Sequence, residues 1–210
     1  MIVLMSAFLL LSAFSCGGGN KANSTSEQNE ETVVNVPQFD ADSAYLYVKN
    51  QVDFGPRVPN TKEHVACGNY LAGQLEAFGA QVTNQYADLI AYDGTLLKAR
   101  NIIGSYKPES KKRIALFAHW DTRPWADNDP DEKNHKTPIL GANDGASGVG
   151  ALLEIARLVN QQQPELGIDI ILLDAEDYGA PQFYTGQHKE EFWCLGSQYW
   201  ARNPHVQGYN

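Results

Sequence analysis

The chain has 210 residues, 43% of them hydrophobic and 20% charged, with a formal net charge of −9. That length allows one sizeable α/β domain, or most of a larger one. The acidic balance argues against a nucleic-acid partner, because phosphate binding needs clustered lysine and arginine.

Residues 1–15, MIVLMSAFLLLSAFS, carry no charge. The run is too short to span a bilayer, which takes about 20 residues. It has the apolar character of a secretory signal peptide. Cys16 follows at once, then Gly17, Gly18 and Gly19. Together these resemble a bacterial lipoprotein signal, with Cys16 as the lipidated residue and the protein exported to a membrane surface or the periplasm. A cleaved signal with an unmodified Cys16 is the alternative. Residues 16–36 are polar and free of aromatics, too poor in apolar surface to order themselves, and fit a flexible tether. The folded domain is expected over residues 37–210.

Asp42 or Ser43 could cap a first helix running through Tyr45, Leu46 and Val48. FGPRVPN (54–60) is punctuated by glycine and proline and reads as an ordered turn. A second helix is expected from Thr61 to Phe78, with Val65, Leu71, Leu75 and Phe78 at helical spacing and Gly79 ending it. Strands follow near Gln81–Ala87 and Leu96–Tyr106. RIALFAHWD (113–121) has the continuous apolar character of a strand buried on both faces. A long polar loop leads to a helix from about Asp144 to Val159, whose Val149, Leu152, Leu153, Ala156 and Val159 share one face. GIDIILLDAED (167–177) is a further buried strand, and a helix is expected near Leu195–Arg202. This alternation points to an α/β fold around a mixed, mainly parallel sheet. Cys67 and Cys194, the cysteines beyond Cys16, could pair in an exported protein or stand as free thiols.

In such sheets ligands bind beyond the carboxyl ends of the strands. His119, Asp121, Glu176 and Asp177 fall at those ends, and Asp144 falls at the start of the intervening helix. Asp144 could ligate a metal or simply cap that helix. Glu176 and Asp177 are adjacent carboxylates that repel unless a cation compensates. Successive residues of an extended chain point to opposite sides. One can therefore bind a metal while the other serves as general base; a solvated turn is the plainer reading. His119 can ligate zinc with Asp121 orienting it, or be structural. Trp193 follows the carboxylate pair and could wall a pocket or belong to the core.

The order H-x-D, then G-A-x-D-G-x-S-G, then D-x-E-D resembles the zinc-dependent M28 peptidase superfamily. AHWDTRPWADND and the single Asp144–Gly145 step resemble its animal-type glutaminyl cyclases and their bacterial relatives, and FGPRVPN and WCLGSQYWA belong to the same resemblance. The resemblance implies a three-layer α/β sandwich of the zinc-exopeptidase kind. It implies Asp144 and Asp177 as zinc ligands and Glu176 as the general acid/base. It implies one Zn2+ in a cyclase and two in an aminopeptidase, His119 being a ligand only in the second case. The partners of a cyclase would be peptides or proteins with an N-terminal glutamine. A third ligand and the C-terminal part of the domain are expected beyond Asn210. Three functions compete: a cyclase, an aminopeptidase, and an inactive lipid-anchored binding protein on the same scaffold.

Overall fold

The computed structural model describes residues 35–209. The expected signal, Cys16 and nearly all of the tether lie outside the described residues. The first helix, α1 (Ala41–Val52), starts earlier than expected, because Asp40 rather than Asp42 or Ser43 is its cap. The Asp40 carboxylate accepts the N–H groups of Asp42 and Ser43 at 3.0 and 3.1 Å, satisfying donors that have no partner inside the helix. Helix α2 (Lys62–Ala77) is capped by Thr61, whose hydroxyl accepts the His64 N–H. Its buried stripe is His64, Cys67, Leu71 and Leu75. Val65, expected on that stripe, is 56% exposed. The helix is turned by His64, whose ring is drawn inward to the buried carboxylate of Asp174.

Four strands follow: β1 (Gln81–Ile90), β2 (Leu96–Tyr106), β3 (Arg113–His119) and β4 (Gly167–Leu173). They lie in the order β1-β2-β4-β3. The sheet is mixed, as expected. Only β3 and β4 are parallel, however, so the described part is not mainly parallel. The reason is local. A tight turn joins β1 to β2, with Gly94 at φ 84°, and a turn that short can only return the chain antiparallel. β3 is also less buried than its apolar run suggests. Among the described residues it has one neighbour, β4, and its Ile114 and Phe117 are 47% and 46% exposed.

Helix α3 (Ser147–Gln161) buries Val149, Leu152, Leu153, Ala156 and Val159 together, the face read from their spacing. With Leu71 and Leu75 of α2 they pack on Ile102, Ile170 and Leu172 of the sheet. Helix α4 (Leu195–Arg202) is on the opposite face, where Trp200 packs against Ile103, Ile171 and Leu173. Helix, sheet and helix make three layers. Cys67 is on the buried face of α2, in the core, and Cys194 precedes α4; both are free thiols, so the pairing considered from sequence is not formed.

Two polar features hold this frame. The first is a buried polar cluster where β2, β3 and β4 meet, away from the carboxyl ends of β3 and β4. Asp169 takes two hydrogen bonds from Arg113, at 2.7 and 2.6 Å, and one each from Ser105 and Tyr209. Burial alone would raise the Asp169 carboxyl. His205, Arg113, Ser105 and Tyr209 outweigh it and hold the group well below the usual carboxylate range. The second is the N-terminus of α4. The N–H groups of Cys194, Leu195 and Gly196 donate to the carbonyls of Glu176, Ala175 and Asp174 at 2.9, 3.0 and 3.1 Å. The first turn of the helix thus spends its free donors on the turn after β4.

A carboxylate with a depressed folded pKa stabilises the fold above its unfolded pKa of about 3.9, and that contribution fades as pH falls below it. The protein should lose stability between about pH 4 and pH 2. Asp169→Asn should cost about 3 kcal/mol at pH 7 and flatten this acid limb, as read by denaturant melts across pH. At Gly196 an added Cβ would overlap the Asp174 carbonyl oxygen. Gly196→Ala should therefore destabilise the fold by roughly 1–3 kcal/mol, seen as a lower melting temperature.

Candidate active site

Parallel pairing of β3 with β4 sets His119 opposite Leu173, so both strands deliver their following residues to the same edge. Trp120 extends the register by one bond, its N–H donating to the Leu173 carbonyl at 3.0 Å. Its ring is fully buried and stacks on His64 at 4.3 Å. Next comes Asp121, also fully buried, whose two carboxylate oxygens accept the N–H groups of Glu176 and Asp177, each at 3.1 Å. One acid from the β3 edge therefore fixes the backbone of the acidic pair from the β4 edge. Asp174 braces the same turn from behind. It accepts from the Arg100 N–H at 2.6 Å and lies 2.9 and 2.8 Å from the His64 ring nitrogen. Ala175 takes the left-handed φ of 50° that carries the chain round to Glu176.

Asp144 arrives on a different device. Residues 142–146 form a kinked turn before α3, in which Asp144 is extended (φ −90°, ψ 109°) and Gly145 has φ 94°. A Cβ on Gly145 would meet the Asp121 carbonyl at 2.8 Å, so glycine is required for both conformation and closeness. Asp144 is therefore not the cap of α3. It precedes the helix with its side chain 62% exposed. Arg57, from the FGPRVPN turn, ties this loop to β3. Its buried guanidinium donates to the carbonyls of Trp120, at 3.2 Å, of Gly141, at 2.8 Å, and of Leu140.

The side chains converge. His119 Nε2 is 2.9 Å from Asp144 Oδ1, while its Nδ1 lies 3.5 Å from Asp121 and 3.7 Å from Glu176 without a hydrogen-bond partner. Burial works against a charged imidazole here, but Asp121, Glu176 and Asp144 outweigh it and push the His119 pKa up to about 9. The Glu176 Oε1 accepts from the Cys194 thiol at 3.2 Å. Asp144, Asp177 and Trp193 line one open cavity of about 350 Å3 together with Arg123 and Asp127. Trp193 thus stands at the cavity and not in the core. A larger cavity of about 540 Å3, lined by Gln81, Thr83, Ser105 and His205 among others, opens over the β1–β2 pair, away from these acids.

Asp177 carries the strongest sign that this edge suits a cation. Its Oδ2 is buried and has no hydrogen-bond partner. Burial, then the charges of Asp121, Asp144 and Glu176, push its pKa up to about 7 against the opposing pull of Arg123. Oxygen donors from Asp144 and Asp177 beside an orphaned buried atom fit a divalent cation such as zinc. They supply part of a coordination shell. Among the described residues no three His, Cys, Asp or Glu side chains are already disposed as a complete metal site.

The sequence reading singled out His119, Asp121, Asp144, Glu176, Asp177 and Trp193, and the fold brings all six to this edge. It gave no role at this site to Arg57, Asp174, His64, Arg123 or Cys194. Arg123 and Asp127, an arginine and an acid four residues apart in a loop, offered a local hint of an ion pair. The pairing of His64 with Asp174 spans 110 residues and left none.

Comparison with known proteins agrees with this geometry. Residues 101–210, just over half of the chain, match peptidase family M28. A glutaminyl cyclase of Bacteroides thetaiotaomicron, crystallised with N-acetylhistamine, is 94% identical over 84% of this chain, with a TM-score of 0.82. A protein described as a leucine aminopeptidase precursor from the same organism is also 94% identical, over 85% of this chain, with a TM-score of 0.83. A Zn-dependent exopeptidase from Parabacteroides distasonis is 63% identical over 84% of this chain, with a TM-score of 0.81. The chain spans 60%, 61% and 60% of these three structures in turn. A buried aspartate clamping an adjacent acidic pair, beside a glycine-built turn that presents a third acid, is thus set in a chain that belongs to peptidase family M28.

Proposed function

We propose that the chain carries the catalytic core of a zinc-dependent glutaminyl-peptide cyclotransferase. The observation that supports this most is that Asp144 and Glu176 flank His119 while Asp144 and Asp177 line one cavity walled by Trp193. The 94% identity to a named glutaminyl cyclase supports it independently.

Asp144 and Asp177 would hold the ion. Bound there, zinc supplies Lewis acidity towards the side-chain amide carbonyl of an N-terminal glutamine. Trp193 walls the pocket and favours a folded glutamine side chain over water. Glu176 is the general base. It takes one proton from the neutral α-amine as that nitrogen bonds to the side-chain amide carbon. It then gives the proton to the amide nitrogen as the C–N bond breaks. The products are a pyroglutamyl peptide and ammonia, so atoms and charge balance without an added water.

A second reading has one observation in its favour. His119 Nε2 sits on Asp144, where it could join Asp144 on a second ion, the arrangement of a two-zinc aminopeptidase. Metal stoichiometry and product separate the two. The cyclase releases ammonia with one zinc per chain, whereas the peptidase releases a free amino acid with two.

Ammonia release from a glutamine-led peptide, with pyroglutamyl product by mass, should follow zinc loading of the protein at its full natural length. Glu176→Gln should lower kcat at least 100-fold with zinc content unchanged. Release of the first residue as a free amino acid would instead support the peptidase reading.

We also infer export and anchoring through a lipid on Cys16. Among the described residues no helix is long and apolar enough to cross a membrane. Cys16→Ser should abolish labelling by a radioactive fatty acid and move the protein out of the membrane fraction.

A further inference from the structure

Arg123 is nine-tenths buried and belongs to no step of the proposed reaction, yet it touches two parts of the site at once. Its Nε and Nη2 grip the Asp127 carboxylate at 2.7 and 2.6 Å, a two-point pairing that fixes the plane of the guanidinium. Asp127 is itself held by the Gln182 N–H at 2.8 Å. The remaining nitrogen, Nη1, reaches the main chain of the acidic turn. It donates to the carbonyls of Asp177 and Gly179 at 3.2 and 3.4 Å and lies 3.8 Å from the Asp177 carboxylate. The flat face of the same guanidinium lies over the Trp193 ring, 4.7 Å from its centroid, with Trp125 at 5.6 Å. Gly179 supports this stack by having no side chain, since a Cβ there would overlap the Trp193 ring.

Each contact uses a different property of arginine. The fork takes the carboxylate, the third nitrogen takes the carbonyls, and the planar cation takes the aromatic face. A lysine could satisfy one of these at a time.

We infer that Arg123 is a positioning residue that locks the ligand carboxylate of Asp177 and the pocket wall of Trp193 into one frame, with Asp127 as its anchor. The inference deepens the zinc-site reading of the same cavity. Asp177 needs this support. Its N–H is held by Asp121, and its carbonyl is taken only on the Arg123 side. Without the guanidinium the residue is tied at one end, and Trp193 loses the plate it rests on.

The test uses the protein at its full natural length and three variants, Arg123→Met, Arg123→Lys and Asp127→Asn. Zinc affinity is measured by competition with a chromophoric chelator, which needs no substrate. Arg123→Met should weaken zinc binding roughly 10- to 100-fold, the usual consequence of losing a group that orients a ligand. Arg123→Lys should recover only part of that loss, and Asp127→Asn should fall between lysine and wild type. With a glutamine-led peptide, KM should rise more than kcat falls. Trp193→Phe should add little further to KM once Arg123 is gone, because the two act as one unit.

Zinc affinities within twofold of wild type in the variants that fold would overturn the inference, whatever their melting temperatures. So would strictly additive effects of Arg123→Met and Trp193→Phe on KM. If Arg123→Met fails to fold, the lysine and Asp127 variants decide by the same affinity criterion. A wild-type protein that binds zinc yet releases no ammonia removes the cyclase reading and leaves the affinity test of Arg123 intact.

Discussion

The site hangs on one buried carboxylate that touches no substrate. Asp121 spends both oxygens on the N–H groups of Glu176 and Asp177, and this sets where two adjacent acids can point. A fully buried charge is costly unless its hydrogen bonds are complete. The cost is offset here by two main-chain donors and by the nearby His119 ring. The carbonyl side of the same turn is closed by the first N–H groups of α4. A short stretch of chain is thereby held from both sides, and its side chains are left free for chemistry.

The other acids of this edge divide by depth. Asp121 and Asp174 are inaccessible to solvent and bind backbone or His64. Asp144 and Glu176 keep 62% and 30% of their side chains exposed. The first group builds the frame of the site, and the second keeps its side chains towards solvent. Asp177 stands between them, buried with one carboxylate oxygen unpartnered.

Much of this was legible in the sequence, for physical reasons. The apolar runs before His119 and Asp174 mark strands, and the small residues around Asp144 mark a tight turn, so the acids fall at predictable ends. The spacing of Val149, Leu152, Leu153, Ala156 and Val159 gave the buried face of α3 directly. Long-range pairings were not legible. Val65 was expected inside because nothing near it announces that His64 is claimed by Asp174 across the fold. The burial of β3 was overestimated because an apolar run does not say how many neighbours its strand has. The frame around Arg123 was missed for a similar reason: its acceptors on Asp177 and Gly179 lie more than fifty residues away.

The separation of buried acids from exposed ones has an evolutionary consequence. Exchanges at Asp144 or Glu176 fall on side chains that contribute little to the core, so under the proposed roles ligand set and reaction could drift while the scaffold stays above its stability threshold. Exchanges at Asp121 or Asp174 strike the scaffold first and are removed by selection before any new chemistry is tried. A lineage built this way can part into cyclising and hydrolysing enzymes by a few surface acids, with the architecture inherited intact.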